Sequence, residues 1–213
     1  MNKLPLICVG GGGHCKSVIN VAEELGYNIM GILDIPDKVG SSILGYPIIG
    51  TDDDIEFYAD KAQFIITVGH IKNPNIRIKI YERLQRCNAK IATIVASSAK
   101  VSKFSNIGEG TVVLHNAVVN ADAKIGKNCI INTFANVEHD AIVGDFCHIS
   151  TSAMVNGNCI VGEKTFIGSG SVLANGIKVP ANSVIVAASL MRKTYLAEGV
   201  YSGNPARLMI KNK

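Results

Sequence analysis

Two histidines stand out by their neighbours. His139 sits in Val137–Glu138–His139–Asp140, and His148 lies nine residues on, in Phe146–Cys147–His148–Ile149–Ser150. An imidazole titrates near neutral pH, so it can take a proton from a nucleophile and hand it on, a contribution of about 10²–10⁴ in rate. An acid beside it, here Asp140, can hold the second ring nitrogen and stabilise the imidazolium. The competing reading is a solvated surface histidine with an ordinary charged neighbour. A second chemistry-bearing stretch is Gly10–Gly11–Gly12–Gly13–His14. Bare backbone amides at the start of a helix attract phosphate, and Asp34 stands where an acid often meets a ribose hydroxyl. His14 and His70 close N-terminal strands, where a nucleotide-lining role and a capping role fit equally. His115 has no such context.

The element that positions His139 and His148 is a ladder of period six. From Val95 to Ile185 every sixth residue is Val, Ile or Leu. Neither a helix period of 3.6 nor a strand period of 2 produces this; a short fixed period means one small unit stacked many times. Four residues behind each aliphatic residue comes a small one (Ala117, Ala123, Cys129, Ala135, Ala141, Cys147), with Ile177 the large exception. Each hexad therefore reads as a short strand with one residue pointing inward, followed by a corner. Three hexads close a triangular coil, and coils stack with parallel pairing. His139 and His148 fall on consecutive sides of this prism, at outward-facing positions. Glycines directly after the aliphatic position (Gly108, Gly126, Gly144, Gly162, Gly168) are expected to form tight bends.

Residues 1–94 alternate strand and helix. Leu4–Val9, Asn28–Leu33, Phe64–Val68 and Lys90–Ile94 read as strands. His14–Leu25, Asp52–Ala59 and Pro74–Arg86 read as helices. This alternation predicts a Rossmann-like parallel sheet. A dinucleotide fingerprint would place a third glycine where Cys15 stands. The loop thus reads as a site for a mononucleotide or for the nucleotide half of a nucleotide sugar, with a ligand-free glycine turn as the alternative.

The chain has 213 residues and a net charge of +4, with 47% hydrophobic residues. The lysines are scattered, which is a poor nucleic-acid footprint. No apolar run approaches a membrane span. Met1–Asn2–Lys3 leads directly into a strand, so no signal peptide and a cytoplasmic location are expected. The six cysteines lack a CxxC pair; free thiols are expected, with Cys129 and Cys147 as stacked small residues rather than ligands.

The doubled ladder resembles the hexapeptide-repeat acyltransferases, whose prism is a left-handed parallel β-helix. Further segments extend the resemblance over nearly the whole chain: Gly10–Lys16, Ile32–Asp34, Leu44–Asp54, Ile66–Gly69 and Arg77–Leu84. The combination is similar to the bacterial sugar acetyltransferases of the sialic acid O-acetyltransferase type, and to those acting on UDP-4-amino sugars in bacillosamine synthesis. That resemblance implies an architecture, a reaction and a set of site residues. The implied fold is an α/β Rossmann-like domain (1–94), a left-handed β-helix (95–190) and a tail (191–213) that helps bind coenzyme A. The implied reaction is acetyl-CoA-dependent N-acetylation of a nucleotide-linked 4-amino-4,6-dideoxy sugar, the nucleotide being uridine diphosphate, and the product feeds cell-surface glycan biosynthesis. By the same resemblance His139 is the general base. Asp140 orients it, where the family more often has glutamate. His148 lies near the acetyl group, Gly157 supplies an oxyanion-binding amide, and Asn132 lies on the substrate side. Gly10, Gly12, Gly13, His14, Asp34 and Gly69 bind the nucleotide sugar. Gly168, Ala187, Ala188, Asn204 and Pro205, with His148 and Gly157, approach the cofactor. No metal is required. A convex prism needs neighbours to form a cleft, and the family is homotrimeric, with acetyl-CoA between adjacent prisms. Three alternatives remain: O-acetylation on the same scaffold, a zinc-dependent carbonic-anhydrase-like prism using three histidines, and a non-catalytic trimeric scaffold.

Overall fold

The computed structural model describes residues 4–210. The signal-peptide reading rests on Met1–Lys3, and the last three tail residues, 211–213, lie beyond the described stretch. The chain divides into two compact units. One runs to Gly69 and resumes at Asn75–Ser97; the other comprises His70–Pro74 and the chain from Ser98 onward.

The first unit has strands β1 (Leu6–Val9), β2 (Ile29–Leu33), β3 (Ser42–Ile43), β4 (Tyr46–Gly50), β5 (Gln63–Ile66) and β6 (Lys90–Ile91). Its helices are α1 (Gly13–Glu24), α2 (Ile55–Tyr58) and α3 (Asn75–Arg86). The sheet order is β3-β4-β2-β1-β5-β6, parallel except for β3. β1 and β5 are buried along their whole length, as strands covered on both faces must be. Alternation sends Ile7 and Val9 into a core with Phe64, Ile66, Ile55, Ile80 and Leu84. It sends Cys8 the other way, where its thiol meets that of Cys15 on α1. α1 ends as a Schellman motif: Gly26 takes φ +70, its N–H donates to Glu23 O (2.9 Å), and Tyr27 N–H donates to Ala22 O (2.9 Å).

The expected alternation is present, but the sequence reading missed the β3–β4 hairpin. Leu44 (φ 50) and Gly45 (φ 86) turn it, and β4 becomes the outer parallel neighbour of β2. A non-glycine residue in the left-handed region is what hid the turn.

The second unit is the left-handed parallel β-helix. Every strand of the prism is two residues long and pairs in parallel with one eighteen residues away. Val113, Ile131, Ile149, Ile167 and Ile185 stack in one column, and Val101, Val119, Val137, Val155 and Leu173 in a second. Ile107, Ile125, Val143, Val161 and Val179 form the third. Each buried aliphatic side chain contributes roughly 1.5–3 kcal/mol. The second column gains Met191, paired with Leu173, one step beyond the predicted ladder. The small residues also bond along the axis. The thiols of Cys129, Cys147 and Cys159 donate to the carbonyls of Gly144 (3.1 Å), Gly162 (3.1 Å) and Ala174 (3.0 Å), each fifteen residues on.

The expected glycine bends are elsewhere. The left-handed backbone recurs three residues after each ladder position from Ile107 to Ile185, among them Asn116, Asp122, Asn128, Phe134, Asp140, Phe146, Ser152, Asn158 and Lys164. Gly108, Gly126, Gly144, Gly162 and Gly168 are small for another reason: a β-carbon there would sit 2.3–2.8 Å from atoms of the next coil. Coil spacing, not φ, selects glycine at those positions. The prism is followed by a hairpin: Val200–Gly203 pairs parallel with Val184–Ile185 and antiparallel with Ala206–Ile210, around a cis Asn204–Pro205 peptide.

Candidate active site

His139 stands at a prism corner, its side chain 53% exposed. The left-handed backbone of Asp140 (φ 61) swings that carboxylate back toward the preceding residue, so Asp140 Oδ2 lies 2.7 Å from His139 Nδ1. This hydrogen bond, followed by the negative charges of Asp140 and Glu138, raises the His139 pKa above an ordinary histidine despite some desolvation. With Nδ1 so engaged, Nε2 is the nitrogen left to accept a proton. The next coil supplies Gly157 beside the ring. A β-carbon there would fall 2.7 Å from His139 Cε1 and 2.8 Å from Nε2, so only glycine fits without moving the imidazole. No acceptor among the described residues takes the Gly157 N–H, whereas the matching amide four hexads earlier, that of Thr133, donates to Asn132 Oδ1 (2.8 Å).

Sequence reasoning passed over Glu138. Asn136 and Asn120 clamp its two oxygens with side-chain amides (3.0 and 2.8 Å) and hold its carboxyl below the usual range. His139 thus has an acid on each side, one bonded to the ring and one fixed as a charge. The signal was present in the sequence as Glu–His–Asp, but the asparagines come from residues two and eighteen positions away.

His148 departs from expectation. It occupies an outward position of its strand yet is only 9% exposed. Its Nδ1 donates to His70 O (2.9 Å), and its ring packs on Phe166 with centroids 5.1 Å apart. Nε2 accepts from Asn132 Nδ2 (3.1 Å), whose direction is fixed because Asn132 Oδ1 takes the Thr133 amide. Both ring nitrogens are committed, which makes the ring a neutral brace between Asn132 and the 70–74 segment. His115 bonds Ser98 Oγ (3.2 Å).

Gly168, Ala187 and Ala188 come together on successive coils. Ala187 N would lie 2.5 Å from a β-carbon on residue 168, and Ala188 N donates to Ser169 O (2.9 Å). The hairpin tip with Asn204 and Pro205 is exposed, and Gly203 N bonds Ser189 Oγ (3.2 Å) next to Ala188.

The N-terminal unit holds a cavity of about 640 Å³. Gly10–His14, Asp34, Lys38, Thr51–Asp53, Val68 and Gly69 line it, so the glycine loop and the first turn of α1 face one space. Gly10 is doubly required: its φ is +106 and a β-carbon would strike Val68. Asp34 Oδ2 accepts from Gly11 N (3.0 Å) and Lys38 Nζ (2.8 Å). Burial pushes the Asp34 carboxyl up, but the Lys38, Ile35 and Gly11 hydrogen bonds prevail and hold it below its usual value. The cavity wall also depends on a residue that the sequence reading did not single out. Fully buried Arg77 donates to Ile66 O (3.0 Å) and Val68 O (2.7 Å), fixing the turn after β5. Among the described residues, no group of three or more His, Cys, Asp or Glu is placed to hold a metal. No helix among them is long and apolar enough to cross a membrane.

Comparison with known proteins agrees with this fold. Residues 5–84 match the PglD N-terminal domain family, and residues 104–139 match the bacterial transferase hexapeptide family. The acetyltransferase domain of PglB from Neisseria gonorrhoeae FA1090, solved in complex with acetyl coenzyme A, is 30% identical. The match covers 98% of this chain and 100% of that one, with a TM-score of 0.90. PerB from Caulobacter crescentus, solved with CoA and GDP-perosamine, is 27% identical over 96% of this chain and 97% of its own, with a TM-score of 0.90. WeeI from Acinetobacter baumannii AYE shares the fold at 21% identity and a TM-score of 0.81, over 96% of this chain and 99% of its own. No curated protein sequence matches the chain. With the PglB domain matched along its full length at 30% identity, the chain belongs to the hexapeptide-repeat sugar acetyltransferases that carry a PglD-type N-terminal domain, and it is an acyltransferase.

Proposed function

We propose that the protein transfers an acetyl group from acetyl-CoA to the amine of a nucleotide-linked 4-amino-4,6-dideoxy sugar, with His139 as general base. The observation that carries this reading is the His139–Asp140–Gly157 corner: a ring oriented through Nδ1, a free Nε2, and an uncommitted amide beside it. The sugar amine attacks the thioester carbonyl and forms the C–N bond while Nε2 takes the proton. The Gly157 N–H meets the oxyanion. Collapse breaks the C–S bond, and the CoA thiolate leaves and takes up a proton. Neither a covalent enzyme intermediate nor a metal enters this scheme.

The acetyl-CoA assignment is supported by the PglB and PerB complexes, which hold acetyl coenzyme A and CoA. The nucleotide-sugar assignment is supported by GDP-perosamine in PerB and by the cavity at the glycine loop of this chain. Uridine diphosphate is the carrier the resemblance implies; the choice of base rests on the residues that face it. Gly10, Gly12, Gly13, His14, Asp34 and Gly69 would bind the diphosphate and ribose. Asn132 would meet the sugar, with His148 behind it. Gly168, Ala187, Ala188, Asn204 and Pro205 would line the CoA path. The exposed Ile142 and Met154 on the prism faces suit a homotrimer with CoA between prisms. A cytoplasmic role in cell-surface glycan biosynthesis fits such substrates.

The test is release of CoA thiol with UDP-, GDP- and dTDP-linked 4-amino sugars, with free sialic acid as the hydroxyl acceptor. The expected result is turnover with an amino sugar, lost in His139→Ala. Turnover only with a hydroxyl acceptor would overturn N-acetylation, and full activity in His139→Ala would remove the base assignment. Sedimentation of the purified protein tests the trimer.

A further inference from the structure

The sheet order sets out a linear site. Three strand ends stand side by side: the end of β1 enters the glycine loop at Gly10, the end of β2 carries Asp34, and the end of β4 enters Thr51–Asp53. All three line the one cavity. A diphosphate at the glycine loop and a ribose at Asp34 leave the base over the end of β4.

Three consecutive acids stand there, and two of them are in use. Asp53 Oδ1 is held by Arg83 (2.6 Å). Asp54 Oδ2 accepts the Thr51 N–H (2.7 Å), closing a capping box. Asp52 differs: it lines the cavity, and no hydrogen-bond donor or ion-pair partner among the described residues reaches its carboxylate. Desolvation raises its pKa, in keeping with a group withdrawn from solvent on the cavity wall. Ile35 and Pro36 give the same space an apolar side against which a flat ring can lie.

A carboxylate only accepts hydrogen bonds. Guanine offers it two parallel N–H donors, from N1 and the 2-amino group, matching two oxygens. Uracil and thymine offer one N–H flanked by two carbonyls, which would face the second carboxylate oxygen. Adenine and cytosine set one amino group beside a ring acceptor. We infer that Asp52 reads the nucleobase, and that the base it selects is guanine, so that the substrate is a guanosine-diphosphate-linked sugar. This rests on the nucleotide-sugar reading of the cavity.

The experiment is calorimetric titration of the full chain with GDP, IDP, UDP and dTDP, repeated on Asp52→Asn. Inosine lacks only the 2-amino donor. In the parent protein GDP is expected to bind about tenfold or more tighter than IDP or UDP. Asp52→Asn, which turns one acceptor into a donor, is expected to lose that preference, GDP binding weakening and UDP binding tightening because the amide can accept the uracil N3–H and donate to the neighbouring carbonyl. Binding of UDP by the variant also reports a folded site. Equal binding of GDP and IDP by the parent, tighter binding of UDP than of GDP by the parent, or discrimination that survives in Asp52→Asn would each overturn the assignment while leaving the nucleotide site intact. Failure of every diphosphate to bind would overturn both this inference and the nucleotide-sugar reading.

Discussion

The backbone of Gly157 lies against the imidazole of His139, one coil above it, with no room between them for a methyl group. Gly157 is not among the residues with positive φ, so its backbone suits alanine and only the neighbouring ring objects. Gly157→Ala should therefore leave thermal stability nearly unchanged and lower kcat by about 10–100-fold through the displaced ring. Wild-type turnover in this variant would show that the ring position does not matter to the chemistry.

Asp140→Asn probes the base. The Asp140 hydrogen bond is the largest cause of the raised His139 pKa. A general base works unprotonated, so a raised pKa places the acidic limb of the pH–rate profile above that of an ordinary histidine. Asparagine is favoured in the left-handed region, so the corner survives, but the negative charge is gone. The acidic limb should shift to lower pH while kcat falls. A limb that stays in place would detach it from His139.

His148→Ala should act mainly on stability. It deletes bonds to His70 O and Asn132 and a ring packed on Phe166, at a cost of about 2–4 kcal/mol. Chemical denaturation measures this, and the acidic limb of any residual activity should match the parent. A shift in that limb would show that His148, not only His139, carries the titrating proton.

Cys147 tests the small column. Burial first, and then the Cys129 thiol one coil back, hold its pKa well above that of a free thiol, so it acts as a packed donor to Gly162 O. Cys147→Ser should cost less than about 1.5 kcal/mol, and Cys147→Val about 1–3 kcal/mol by overpacking, read from denaturation midpoints. Equal stability of the valine variant would mean the axis has slack.

The prism was legible because its contacts repeat at a fixed interval: Val137 predicts Val119 and Val155 without knowledge of the rest. The His139–Asp140 pair was legible because its members are adjacent. His148 was not, since its cover comes from His70, seventy-eight residues away. The β3–β4 hairpin was hidden by Leu44 in a turn position that usually calls for glycine or asparagine. Asp52 could not be told from Asp53 and Asp54 by type or spacing; only the partners of the other two single it out.

The left-handed corner does more than turn the coil. At Asp140 (φ 61) it folds a carboxylate onto the residue before it, and Asp122 (φ 57), one coil earlier, has the same backbone behind Ala121. The acid half of the pair is thus a property of the repeat, but the room for the ring is not: one coil beyond His139 stands Gly157, whereas one coil beyond Ala121 stands His139 itself. A histidine placed at 121 would find its carboxylate but not its space, so a single glycine confines the proton-transfer corner to one coil.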